Sequence, residues 1–326
     1  MLDKTVHILY ILIYTVYAQF IEEVYIMLKV EYLDKTLSNK NNTFKLHNIS
    51  FTLPKGYICG IVGENGSGKS SLIKCLAGLY RPDNGNIFIQ SVPFYENETK
   101  NKNMSGLVLD NSFYNQNFTL IQIGNFYGSL YNEFNFNKYL GYLSLFNLDS
   151  KMKFKHLSKG MKTKVQISFA LSHNAKLFLF DEPADGLDKN SREELIKICT
   201  GLVSDGEKSV LLSSHITEDL DRIADYIGYM QNGSMLFFLP KDTLCDKFRI
   251  IKGEHYKCQN IPQNKIVYME KGKYITSVMV TGGNKYSSDK TLEVYKPCIA
   301  EFMYYFVKGG KENAKNIAEN FININS

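Results

Sequence analysis

Short, continuous apolar runs alternate along this chain with longer stretches whose apolar residues recur at helical spacing. LKVEYL (28–33), LHNISFTL (46–53) and YICGIV (57–62) read as strands, and KSSLIKCLAGLY, which follows a glycine loop, reads as a helix. RPDNGNIFIQ is a turn running into a strand, and MSGLVLD (104–110) is a further strand. Residues 118–148 are rich in aromatics and read as helical. Ser158 then stands as an N-cap before a helix carrying Met161, Val165, Ile167, Phe169 and Leu171. The unbroken apolar strand KLFLF (176–180), a helix over 190–203, the strand KSVLLSS (208–214) and a helix over 216–226 follow. Asn232-Gly233, between YIGYMQ and SMLFFLP, is a two-residue hairpin signal.

Fully apolar strands alternating with helices imply an α/β fold, a sheet covered on both faces with parallel strands at its centre. Past Pro240 the texture changes. Residues 241–310 mix short strands, a glycine turn at Gly282-Gly283 and a final helix, which predicts a small C-terminal α/β appendage. The Asn- and Lys-rich tail from Lys311 is expected to fray. At the other end, the apolar run from Ile8 to Ile21 is 14 residues long and contains Thr15 and Gln19. A bilayer span needs about 20 apolar residues, and no arginine-rich front or small-x-small cleavage site marks a signal peptide. MLKVEYLDKTL reads at once as a first strand from Met27, so residues 1–26 form an apolar extension. It has three readings: a dispensable segment, an amphipathic docking segment and a membrane anchor.

Composition changes this picture little. The 326 residues suffice for one large domain with an appendage, and 44% hydrophobic with 22% charged residues is ordinary for a globular protein. A net charge of +5 permits an anionic ligand but is too mild to argue for nucleic acid. The six cysteines (Cys59, Cys75, Cys199, Cys245, Cys258 and Cys298) include no CxxC pair, which suits reduced thiols better than disulfides or a zinc site.

The chemistry lies at the ends of the predicted elements. GENGSGKS (63–70) satisfies G-x-x-x-x-G-K-[ST] in the strand-loop-helix context that this motif requires. The backbone N–H groups of Gly63, Glu64, Asn65, Gly66, Ser67 and Gly68 are placed to curl around phosphate oxygens, with Ser70 and Ser71 opening the helix. Lys69 is suited to reach the β- and γ-phosphates, and the Ser70 hydroxyl to ligate Mg²⁺. In LFLFDEP (177–183) a buried strand exposes Asp181 and Glu182 at the carboxyl edge of the sheet. Asp181 suits the metal and Glu182 suits a general base for an attacking water. His215 ends KSVLLSSH, where it can meet the γ-phosphate from a third side. Gly160 in the first turn of the helix after Ser158 is unfavourable, by about 0.5–1 kcal/mol against alanine, so something must come close to it.

In this order, glycine loop, LSKGM (157–161), LFLFDEP, DGLD (185–188) and His215, the chain resembles the ATP-binding subunits of ABC transporters over about residues 27–240. GENGSGKS matches Walker A, LFLFDE Walker B, DGLD the D-loop, His215 the switch histidine, and LSKGM the signature usually written LSGGQ. The resemblance implies a P-loop NTPase core with an antiparallel β subdomain and a helical subdomain over about 111–172, with 241–326 as an accessory domain and tail. It also implies that Ser158 and Gly160 of one cassette cap ATP held by an identical or homologous partner, head to tail. Lys159 would add charge toward that phosphate, while Lys162 and Lys164 read as a solvated helix face. LSKGMK, the short helical insert and EFMYYFVKGG look like the subgroup serving ABC-2-type exporters of peptides and antibiotics.

Two positions depart from the family pattern. Asp110 stands after GLVL where a glutamine is usual, an acidic group suited to the metal side. Where an aromatic ring usually stacks on adenine, Leu37 falls at the place, with Tyr32 and Phe44 nearby. The reading implies a cytosolic ATPase, using ATP and Mg²⁺, peripheral on the inner face of the plasma membrane through a separate permease. The rivals are a soluble ABC-type regulator of ribosomes or DNA and a P-loop kinase or GTPase. The first would usually bring a second cassette or a long coiled coil, and the second leaves LSKGM and His215 unexplained. Residues 111–136 hold rings that serve either as core or as a permease-docking groove.

Overall fold

The computed structural model describes residues 25–38, 42–215, 217–282, 286, 289 and 291–309. Most of the N-terminal extension, Gly283 and the tail from Lys311 lie outside the described residues. The chain opens with β1 (Ile26–Ser38), β2 (Thr43–Pro54) and β3 (Ile58–Val62), and the glycine loop then leads into α1 (Lys69–Leu76). Next come β4 (Asn84–Ile89), β5 (Val92–Pro93), α2 (Glu98–Asn103) and β6 (Ser105–Val108). A helical block, α3 (Leu120–Gly128), α4 (Phe136–Leu145) and α5 (Lys159–Ala170), precedes β7 (Leu177–Asp181). Then follow α6 (Lys189–Val203), β8 (Ser209–Ser213), α7 (Thr217–Ile223), β9 (Tyr226–Gln231) and β10 (Ser234–Pro240). The last part holds α8 (Lys241–Lys247), β11 (Phe248–Glu254), α9 (His255–Cys258), β12 (Ile266–Lys271), β13 (Ile275–Thr281), β14 (Glu293–Tyr295) and α10 (Ile299–Lys308).

The central sheet runs in the order β10-β9-β3-β8-β7-β6, parallel from β9 to β6 with β10 antiparallel at one edge. Every residue of β3, β7 and β8 is buried, which is why these strands read as unbroken apolar runs. Period-two alternation divides them between two cores. Ile58, Val62, Phe178, Phe180, Val210 and Leu212 join the helices of one face, while Ile61, Leu177, Leu179 and Leu211 join α1 and the antiparallel sheet on the other. That second sheet, β2-β1-β4-β5, covers the face carrying Leu72 and Leu76 of α1.

The stretch read as helical over 118–148 is two helices with a break. Thr119 and Gln122 form a capping box at the start of α3, and Asn135 caps α4 through the Lys138 N–H at 2.9 Å. Between them the chain reverses, and a Cβ on Gly128 would collide with the Phe134 ring. Beyond Pro240 a third sheet, β12-β13-β11-β14, is wholly antiparallel. It is not isolated from the rest. Phe302 and Phe306 of α10 meet Phe237 of β10 with ring centroids 5.9 and 5.6 Å apart, and these residues belong to the same apolar cluster as the central sheet. Among the described residues no helix is long and apolar enough to cross a membrane.

Candidate functional site

The strand order places the carboxyl ends of β3, β8 and β7 side by side, with Ile61 and Asp181 both in register with Ser213. Three loops therefore converge. The first runs from Gly63 to Gly68, where Gly66 and Gly68 have φ of 81° and 108°, a region that favours glycine. Gly63 is required for a second reason: a Cβ there would press on the Met230 carbonyl and lie 2.7 Å from Ser67 Oγ. The Asn232-Gly233 turn, with φ of 49° and 80°, props this loop from outside. Gly233 N–H donates to the Ser67 carbonyl and the Gly233 carbonyl accepts from His47 N–H, both at 2.9 Å.

Among the described residues no side chain caps the start of α1, so its first N–H groups point into the loop with the positive end of the helix dipole. Lys69 is only 6% exposed, and its ammonium donates to the carbonyls of Gly63 (2.8 Å) and Glu64 (3.2 Å). Ser67 Oγ is buried without a hydrogen-bond partner among the described residues. A buried cation, an orphaned hydroxyl and bare helix amides are the donor set that phosphate oxygens satisfy.

The second loop follows β7. Asp181, 2% exposed, accepts at Oδ1 from Ser70 Oγ (2.9 Å) and Ser213 Oγ (2.8 Å). Burial pushes its carboxyl up, and the two hydroxyls oppose that shift. Hard oxygen donors at Ser70 and Asp181 suit Mg²⁺, which keeps waters and phosphate oxygens in its shell and needs no cage of carboxylates. Among the described residues no group of three or more His, Cys, Asp or Glu side chains forms such a cage. Next to Asp181, Glu182 adopts a left-handed backbone with φ of 48°, a strain of about 1–2 kcal/mol for a residue with a Cβ. The third loop brings His215, whose Nδ1 lies 2.7 Å from Glu182 Oε2. Glu182 Oε1 is 3.7 Å from the Lys69 ammonium.

Lys69, Ser70, Glu182 and His215 line one cleft of about 820 Å³, which Leu37 and Phe44 border. These two are cross-strand partners in β1 and β2, whereas Tyr32 is 70% exposed and does not border the cleft. Asp110, expected on the metal side, has its carboxylate 2.6 Å from the Lys159 ammonium. Ser158 caps α5 by accepting from Met161 N–H at 3.2 Å. Gly160 has an answer within its own chain: a Cβ there would lie 2.6 Å from the Gly186 carbonyl. Asp188 of DGLD caps α6 through Ser191 N–H at 2.9 Å. Ser213, absent from the expected site, donates to Asp181 and accepts from Glu182 N–H at 2.9 Å. A hydroxyl at the end of an otherwise apolar strand is the sequence signal for it.

Comparison with known proteins decides the family. Residues 46–185 match the model of the family described as ABC transporter. The linearmycin resistance ATP-binding protein LnrL of Bacillus subtilis is 31% identical over 227 residues, 68% of this chain and 71% of LnrL. The chain belongs to the ABC transporter ATP-binding proteins. The phosphonates import ATP-binding protein PhnC of Fusobacterium nucleatum is also 31% identical, over 59% of this chain and 85% of PhnC. A solved ATP-binding subunit of an ABC transporter superposes with a TM-score of 0.60 at 25% identity, over 68% of this chain and 92% of that one. This ABC transporter ATP-binding protein thus has the P-loop NTPase fold of the ABC ATPase cassettes, and the convergent loops lie at the strand ends where such folds bind ligands.

Proposed function

We propose that this chain binds Mg²⁺ and ATP in the cleft at Gly63–Ser71 and hydrolyses the nucleotide to drive a separate permease, an ABC-2-type exporter of peptides, antibiotics or similar amphipathic substrates. The observation that carries the reading is the Glu182–His215 contact at 2.7 Å beside the nearly buried Lys69. Lys69, the loop amides and Ser67 bind the phosphates, and Asp181 with Ser70 holds the metal, which neutralises phosphate charge when bound. Glu182 accepts the proton of a water attacking in line, and His215 holds the carboxylate in place. Leu37 and Phe44 flank the base. Ser158 and Gly160 at the start of α5 meet the γ-phosphate held by a second, identical or homologous cassette.

The likeness to LnrL supports a substrate of the antibiotic class; the likeness to PhnC supports import as a second reading. The permease would hold residues 27–240 as a peripheral domain on the cytoplasmic face, with 241–326 as an accessory domain. Two measurements test this. Purified chain should hydrolyse ATP only with Mg²⁺, and cells carrying it with its permease should lose resistance to the exported compound on Glu182→Gln. Absence of Mg²⁺-dependent hydrolysis would remove the ATPase reading; uptake in place of resistance would favour import.

A further inference from the structure

Three segments distant in sequence meet at one ammonium. Lys159 Nζ, in the first turn of α5, lies 2.6 Å from a carboxylate oxygen of Asp110 and 2.7 Å from one of Asp185. Each side chain is about half exposed, and a single pair of this kind contributes little. A cation shared between two carboxylates differs, because losing it releases both and removes the charge that suits them to one place. Lys159 is pushed up to about 12, by Asp110 first and then by Asp185, and Lys159 is in turn the main cause holding the Asp185 carboxyl low.

Each end of this bridge is attached to something rigid. On the Asp110 side, buried Gln166 of the same helix clamps the preceding residue, accepting from Leu109 N–H at 3.0 Å and donating to the Leu109 carbonyl at 2.9 Å. On the other side, Asp185 N–H donates to the Glu182 carbonyl at 3.1 Å and closes the turn in which Glu182 holds its left-handed φ of 48°. That turn rests on the first turn of α5, as the close approach of Gly186 to Gly160 shows.

We propose that Lys159 is a positioning residue for hydrolysis, held by Asp110 and acting on Glu182 through Asp185. This rests on the ATPase reading above. Asp110 is then the counter-charge of Lys159, and the acidic residue in place of the usual glutamine and the lysine in LSKGM are one feature. The bridge fixes the strained turn, so the Glu182 carboxylate stays beside His215.

The test uses the full chain with Lys159→Met, Asp110→Asn, their combination, and Lys159→Arg. Amide hydrogen exchange without nucleotide should speed up at Asp185 by about two- to fivefold in Lys159→Met. ATPase kcat should fall by about three- to tenfold with KM for ATP unchanged. Lys159→Arg should restore both, and the double variant should be no worse than Lys159→Met alone. Wild-type exchange at Asp185 in Lys159→Met, or wild-type kcat despite faster exchange, would overturn the proposal while leaving ATP hydrolysis intact. Additive losses in the double variant would overturn the pairing. A wild-type chain without ATPase activity would overturn the ATPase reading, and this role with it.

Discussion

Nδ1 of His215 lies 2.7 Å from Oε2 of Glu182, and the main-chain N–H of His215 reaches the same oxygen at 3.2 Å. An ionised carboxylate only accepts, so as the base Glu182 calls for the hydrogen on Nδ1 of His215 in this contact. One oxygen is committed to orientation, and Oε1 is left toward Lys69 for a water. Glu182→Gln should therefore keep ATP affinity and lower turnover by about 10²–10⁴-fold, since an amide cannot take the proton. His215→Ala should lower turnover less, because the carboxylate remains. Single-turnover hydrolysis beside an ATP titration separates the two; near-normal turnover in Glu182→Gln excludes Glu182 as the base.

Lys69→Ala should weaken ATP binding by at least about tenfold, since charge-assisted hydrogen bonds contribute roughly 1.5–3 kcal/mol. Isothermal titration gives the affinity, with circular dichroism to show that the chain is folded. Retained affinity would move the phosphates elsewhere.

Asp181 yields a prediction of opposite sign for stability and activity. Burial raises its carboxyl pKa in the folded chain, so the folded state favours the protonated form. Stability from this group is present at low pH and is lost as pH rises through the raised folded value. Asp181→Asn, which removes the charge but keeps an acceptor for Ser70 and Ser213, should thus melt a few degrees higher than wild type at pH 7. The gap should shrink toward pH 4. Mg²⁺-dependent hydrolysis should disappear in the same variant. A lower melting temperature at pH 7 would show that the two hydroxyls outweigh burial.

Within residues 111–136 the rings divide. Tyr114, Tyr127, Tyr131 and Phe134 pack against the core, while Phe113 and Phe126 are 66% and 56% exposed. Phe113→Asp and Phe126→Asp should abolish transport while leaving the ATPase of the isolated chain unchanged. Transport at wild-type level in both would assign these rings no docking role.

The central strands and the phosphate loop were legible because their signals are local. Apolar runs such as LFLF, short and ending in a turn, read as strands buried on both faces, and GENGSGKS fixes a loop geometry by its glycines. What escaped was long-range. Nothing near Gly233 announces that its N–H supports Ser67, and nothing near Asp110 announces Lys159. Gly160 shows the same limit: its bareness suggested an approaching phosphate, yet the Gly186 carbonyl of its own chain already requires it. The break between α3 and α4 was hidden because the aromatic residues on both sides keep helical spacing across it.

In the proposed function each ATP is enclosed by the cleft of one copy and the start of α5 of another. Gly160→Asp cannot test it cleanly, since the new side chain would collide with Gly186 in its own chain. Ser158→Arg serves better, because losing this cap weakens α5 by only about 1 kcal/mol. Ser158→Arg and Lys69→Ala chains should each be inactive when assayed alone. Mixed, they form one site with an intact Lys69 from the first chain and an intact Ser158 from the second, so Mg²⁺-dependent ATPase activity should return. If the wild-type chain is active and both variants are folded, a mixture that stays inert would contradict the composite site.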